Sequence, residues 1–116
     1  MSTDSTTPTD TETHRIRHTD LTAFHFDLLA VCARLEAGLD NVHGLAIKDG
    51  LQDIHGEEIN HGRLYPNLDE LDEKGLIEKR AQEIDARTNA YRVTKEGFRL
   101  LDQRRFHLAS AVDGGA

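Results

Sequence analysis

From Asn60 to Gly97 the chain reads NHGRLYPNLDELDEKGLIEKRAQEIDARTNAYRVTKEG, an order of signals that few folds accommodate. Ile59 precedes a capping Asn60, and Leu64 is placed to close a hydrophobic staple over it. Leu64, Leu68 and Leu71 follow at i, i+4 and i+7, the inward stripe of a helix. The other face carries His61, Arg63, Asn67, Glu70 and Lys74. Pro66 falls in the second turn, where it removes one backbone donor and crowds the carbonyl of Gly62, the residue with least bulk. Gly75 ends the helix, and Leu76-Ile77 returns to the core. Ile77 to Ala81 and Asn89 to Val93 then read as short strands around a polar loop, Gln82 to Thr88. Tyr91 and Val93 alternate inward with Arg92 outward, and Thr94 caps a last helix. Helix, tight stop, hairpin and helix is the second half of a winged helix-turn-helix. The expected fold class is therefore α+β, mostly helical: three helices, a two-stranded wing and a C-terminal dimerisation helix.

Upstream, Asp20 is placed as an N-cap, with Leu21, Phe24, Leu28, Val31, Cys32 and Leu35 at helical spacing until about Gly38. Phe26 and Leu29 fall off that stripe and predict a second buried face, as at a dimer contact. A second helix is predicted from about His43 to His55, with Leu45, Ile47, Leu51 and Ile54 apolar and Gly56 as its stop. Gly50 weakens its middle. The final helix runs to about Val112 and carries Phe98, Leu101, Leu108 and Val112, with Leu100 and Phe106 beside them. So small a domain cannot cover all of these, so a homodimer is expected through Phe26, Leu29, Phe98, Leu101, Leu108 and Val112. Met1 to Thr19 is rich in Ser, Thr and Asp and nearly without apolar residues, which predicts a disordered tail ahead of one domain at residues 20–112.

The chain has 116 residues, enough for one domain with a modest core. No run of about eighteen apolar residues is present, so no membrane partner is expected. No charged start followed by an apolar stretch marks a secretion signal. The single cysteine, Cys32, excludes an internal disulfide framework and fits a reducing interior, so a cytoplasmic location is expected. The formal net charge is −7, unusual for a chain expected to meet nucleic acid. Its distribution resolves the conflict. Asn60 to Lys95 holds seven basic residues (Arg63, Lys74, Lys79, Arg80, Arg87, Arg92, Lys95) against seven acidic ones (Asp69, Glu70, Asp72, Glu73, Glu78, Glu83, Asp85). The excess acid lies wholly elsewhere. Four lysines against ten arginines, with twelve aspartates and nine glutamates, suit either a protein of molar intracellular salt or an ordinary acidic bacterial one.

The stretch NHGRLYPNLDELDEKGLIEK followed by RTNAYRVTKEG resembles the signature of PadR-like winged-helix transcriptional regulators. That pattern is a small cap, Gly, x, Leu-Tyr-Pro, a leucine-spaced helix, Gly-Leu-Ile, a wing and Tyr-Arg-Leu-Thr-x-x-Gly. His43-Gly44-Leu45-Ala46-Ile47 resembles the family's His-Gly-Tyr-x-Ile, with Leu45 where Tyr is usual. The likeness covers about Leu21 to Arg105, and with the acidic surface it points to a haloarchaeal regulator of the reactive-oxygen response. It implies a homodimer on palindromic double-stranded promoter DNA, usually as a repressor. The chain departs in having one short C-terminal helix rather than a long coiled coil.

Arg63, near the start of the third helix, stands where groove-inserted helices meet base edges, and Arg pairs bidentately with guanine. Asn60, His61, Tyr65 and Asn67 share or flank that surface and reach bases or phosphates. Arg87 at the wing tip suits the minor groove, with Lys79, Arg80 and Arg92 on phosphates. For each arginine the competing reading is a solvated charge or an ion pair. The basic cluster His14 to His18 reads as an arm reaching DNA or as solvated flank. An acidic dimer on DNA also predicts potassium or other cations at the interface.

Other chemistries are weaker. His55, Glu57, Glu58 and His61 match no closed zinc spacing, so no metal or other cofactor is expected. Cys32 could sense oxidants, but a cysteine on an apolar stripe reads as inert core. No nucleophile–base–orienter set or phosphate-cradling glycine loop supports an enzyme. The remaining rival is a winged-helix protein-interaction module without direct DNA readout.

Overall fold

The computed structural model describes residues 15–81 and 89–114. Its elements are a 3-10 turn at His18–Asp20, then α1 (Ala23–Glu36), α2 (Gly44–His55), α3 (His61–Glu73), β1 (Ile77–Ala81), β2 (Asn89–Val93) and α4 (Lys95–Val112). Four helices and an antiparallel hairpin make the expected winged helix.

Helix α1 starts two residues later than the spacing predicted. The cap is Thr22, not Asp20. The Thr22 hydroxyl accepts the His25 N–H at 3.1 Å, and His25 Nδ1 accepts the Thr22 N–H at 3.1 Å. This is a reciprocal capping box with histidine in the place of the usual Glu or Gln. Asp20 instead closes the 3-10 turn by accepting the Arg17 N–H at 2.8 Å.

Helix α1 is the centre of the molecule and packs on α2, α3, α4 and β2. Leu28, Leu29, Ile47, Leu51, Leu64, Leu71, Leu76 and Leu100 are sealed from solvent within one core. Ile59 and Leu64 are both buried, as the staple requires. Gly75, at φ +77°, supplies the left-handed residue that stops α3. Its successor Leu76 then turns inward and donates its N–H to Leu71 at 2.9 Å.

The hairpin pairs Ile77 with Val93, Lys79 with Tyr91 and Ala81 with Asn89. Tyr91 and Val93 are buried and Arg92 is exposed, as the alternation predicted. On its other side β2 meets the segment before α2. Tyr91 N–H donates to the Val42 carbonyl at 2.8 Å, His43 forms a bridge to Ala90, and Val93 N–H donates to the Glu36 carboxylate at 2.9 Å.

Two expectations are corrected. Phe26 and Leu29 are not a second face for a partner: Leu29 is 0% exposed and Phe26 8%. Both are in the chain's own core, and the Arg104 guanidinium of α4 lies over the Phe26 ring at 5.3 Å. The other correction concerns residues 15–19, which composition predicts as part of the tail. They are seated on α4: the Arg15 guanidinium donates to Glu96 at 2.8 Å, Arg99 donates to the Ile16 carbonyl at 2.9 Å, and His18 N–H donates to Gln103 at 3.3 Å. The rest of the predicted tail, residues 1–14, lies outside the described residues.

Candidate nucleic-acid interface

The exposed end of α3 is organised by Asn60. Its side-chain oxygen accepts the Arg63 N–H at 2.8 Å, which is the N-cap bond. The Asn60 side chain also carries two amide donors, groups of the kind that contact phosphate oxygens. Asn60, His61 and Arg63 are all exposed on this turn. Asn67 lies one turn along the same face and is partly committed, donating to the Arg63 carbonyl at 2.7 Å.

Arg63 projects across the start of α1, where its guanidinium carbon stands 4.0 Å from the centroid of the Phe24 ring. Cation–π attraction holds it there. Tyr65 turns the other way. Its half-buried ring packs on α2 at Gly44, and the His61 ring meets it edge-on at 5.4 Å. In the sequence Gly44 is a motif residue with no evident role. The structure gives it one, because a Cβ there would come within 2.6 Å of the Tyr65 hydroxyl.

Beside Phe24, His25 is buried against α3. Since Nδ1 accepts a hydrogen bond, the proton sits on Nε2. Glu70 Oε1 stands 3.3 Å from Nε2 but out of line for a hydrogen bond, leaving that donor without a partner among the described residues. Adjacent residues of α1 therefore face α3 at two points, one in its first turn and one two turns on.

The wing divides the remaining candidates. Lys79 shares the face of Tyr91 and donates to Asp69 of α3 at 2.9 Å, an ion pair that raises its pKa. Arg80 and Arg92 point to the opposite face, alongside Glu78. There they help line a cavity of about 260 Å³ with Glu36, Asp40, Asn41 and Ala90. Arg80 also pairs with Glu78 at 3.2 Å. The three basic wing residues expected on phosphates thus belong to two surfaces, and only Lys79 adjoins α3. These exposed pairs are weak enough for a phosphate to displace the carboxylate. Arg87 lies outside the described residues.

Two other sequence candidates have structural partners. His55 Nε2 is 2.9 Å from the Asp27 carboxylate, and Cys32 is fully buried in the core. Among the described residues no helix is long and apolar enough to cross a membrane.

Comparison with known proteins agrees with this architecture. The model of the transcriptional regulator PadR-like family matches residues 35–103. The structure of RosR from H. salinarum, in crystals grown from NaBr, is 49% identical over 78% of this chain and 77% of that chain, with a TM-score of 0.63. A PadR family transcriptional regulator from Eggerthella lenta is 27% identical over 75% of each chain, with a TM-score of 0.58. FabT from Streptococcus pneumoniae, solved in complex with DNA, shares the fold at 20% identity, covering 91% of this chain and 68% of that chain at a TM-score of 0.62. No curated protein sequence matches the chain.

Proposed function

Given that this chain belongs to the PadR-like family of transcriptional regulators, we propose that it is a cytoplasmic, sequence-specific regulator that binds palindromic promoter DNA as a homodimer, in an oxidative-stress response under high salt. The observation that carries this reading is the first turn of α3, where Asn60, His61 and Arg63 are exposed together on a capped helix end. A helix entering the major groove meets base edges with such a turn. The homodimer is supported by the outer part of α4, whose Phe106 and Val112 are 70% and 83% exposed. The oxidative-stress and high-salt setting is supported by the identity to RosR and by the acidic, lysine-poor composition.

Arg63 reads a base, Asn60 and Lys79 hold phosphates, and Arg87 enters or straddles the flanking minor groove. Because the whole chain is net −7, potassium or other cations taken up at the interface screen its repulsion from DNA. The experiment is a binding titration on a palindromic duplex selected in vitro by the wild-type protein. Arg63→Ala should cost about 1–3 kcal/mol on that duplex and relax preference at one base pair, whereas Arg87→Ala should weaken all duplexes alike. Wild-type binding by both variants overturns the DNA assignment. Repeated from low to molar potassium chloride, affinity should hold or rise; the steep fall expected of simple counterion release would remove the cations from the proposal.

A further inference from the structure

The side chain that reads DNA in this proposal does not stand free. The Arg63 guanidinium lies over Phe24, a core residue of the first turn of α1 that is only 8% exposed. The same ring has a second neighbour. His55, the last residue of α2, is 5.9 Å from it, tilted by 59°, and is held in turn by Asp27 at 2.9 Å. Phe24 thus sits between the end of the second helix and the reading end of the third. The connection between those helices is residues 56–60.

The chemistry of guanidinium makes this contact different from an ion pair. Its five N–H donors lie in the plane of the group, directed outward from its rim. A carboxylate partner would occupy two of them. A ring beneath the group touches its face and leaves the donors at the rim for a base edge. Stacking also narrows the rotamers of a long side chain before DNA arrives, so less conformational freedom is lost on binding.

We propose that Phe24 is a positioning residue for base reading: its ring holds the Arg63 guanidinium in the orientation that discriminates one base pair, without Phe24 contacting that base pair. This rests on the reading of Arg63 as a base contact, and the two can fail separately. Phe24→Leu keeps an apolar core residue and removes the π face. Phe24→Tyr keeps the face.

The probe is the duplex selected by the wild-type protein from a random pool, together with versions of it in which each base pair is replaced in turn. Phe24→Leu should lower discrimination about three- to tenfold at the base pair that Arg63→Ala affects, and nowhere else. Phe24→Tyr should restore it, and the Phe24→Leu/Arg63→Ala double variant should discriminate no worse than Arg63→Ala alone. Equal weakening on every duplex marks Phe24 as merely structural and overturns the inference, as does unchanged discrimination in Phe24→Leu when Arg63→Ala has lost it. If Arg63→Ala discriminates normally, or selection enriches no sequence, the DNA reading itself has failed and this inference falls with it.

A second measurement needs no variant of the core. In wild-type protein the Arg63 δ-methylene protons should show an upfield ring-current shift that persists in the DNA complex. Its absence, or its loss on binding, overturns the proposal.

Discussion

The Tyr65 hydroxyl stands 2.6 Å from the point where a side chain at Gly44 would place its Cβ, and the ring carbon Cε1 is 2.8 Å away. The Leu-Tyr-Pro motif of α3 and the His-Gly motif of α2 are therefore two halves of one contact. Glycine at 44 lets the helices approach closely enough for the tyrosine ring to lie between them. Gly44→Ala should overpack this junction and cost about 1–3 kcal/mol in urea unfolding. Tyr65→Ala in the same chain should recover part of the loss. A neutral Gly44→Ala would mean that the ring swings aside freely and that the motif pairing is incidental.

The terminal helix carries the oligomerisation prediction. Leu101 packs against the core, but Phe98 and Leu108 are roughly half exposed, and the chain leaves Phe106 and Val112 almost uncovered. Leu108→Asp with Val112→Asp should convert the proposed dimer to a monomer in sedimentation velocity. Unfolding of the monomer itself should change by no more than about 0.5 kcal/mol, since neither side chain is in its core. A dimer that survives both substitutions would move the interface elsewhere.

Glu96 ties the N-terminal segment to α4. Both its oxygens accept from Arg99, at 3.0 and 2.9 Å, and one also accepts from Arg15 at 2.8 Å. These bonds, those of Arg99 first, hold its carboxyl at about 2 against an ordinary 4.5. A depressed carboxyl favours the folded state above its unfolded pKa, and the benefit disappears as pH falls through the folded value. The seating of residues 15–19 should therefore be intact above about pH 4.5 and be released towards pH 2. Carbon-detected NMR titration of Glu96 checks the value. At neutral pH, Glu96→Gln should speed tryptic cleavage after Arg15 and Arg17; an unchanged rate would show that other contacts hold the segment.

Cys32 is 0% exposed, and burial, with the Glu36 charge adding to it, pushes its thiol up to about 12. The protonated thiol therefore favours the fold below about 9, and that contribution is lost as pH climbs towards 12. With almost no thiolate present, iodoacetamide at pH 8 should label the native protein orders of magnitude more slowly than the urea-unfolded chain. Cys32→Ala should leave an oxidant response intact in cells. Rapid native labelling, or a peroxide-induced covalent dimer on a non-reducing gel, would restore direct sensing by this residue.

The strand and helix limits were legible because strong local signals coincide with them. Gly75 adopts the left-handed conformation that its position after Lys74 required, and Thr94 accepts the Gly97 N–H as a cap should. The start of α1 was misread because Asp20 and Thr22 are both good caps; the choice turned on His25 reaching back to Thr22. Phe26 and Leu29 were misassigned for a related reason. A helix surrounded by partners on several sides has no single stripe, and periodicity alone cannot tell a neighbouring helix of the same chain from a second subunit. The placement of Arg63 over Phe24 was beyond sequence reasoning altogether. The two residues are far apart in the chain, and neither pattern nor propensity signals their contact.

The hydrogen bonds on the far side of β2 have one more consequence. A two-stranded hairpin ordinarily offers a row of open amides on which another chain can grow a sheet. Here the Val42 carbonyl takes the amide of Tyr91, and the Glu36 carboxylate takes that of Val93. A side chain from a helix thus stands in for a missing strand. Along this margin the wing is closed to templated polymerisation without any second strand to cover it.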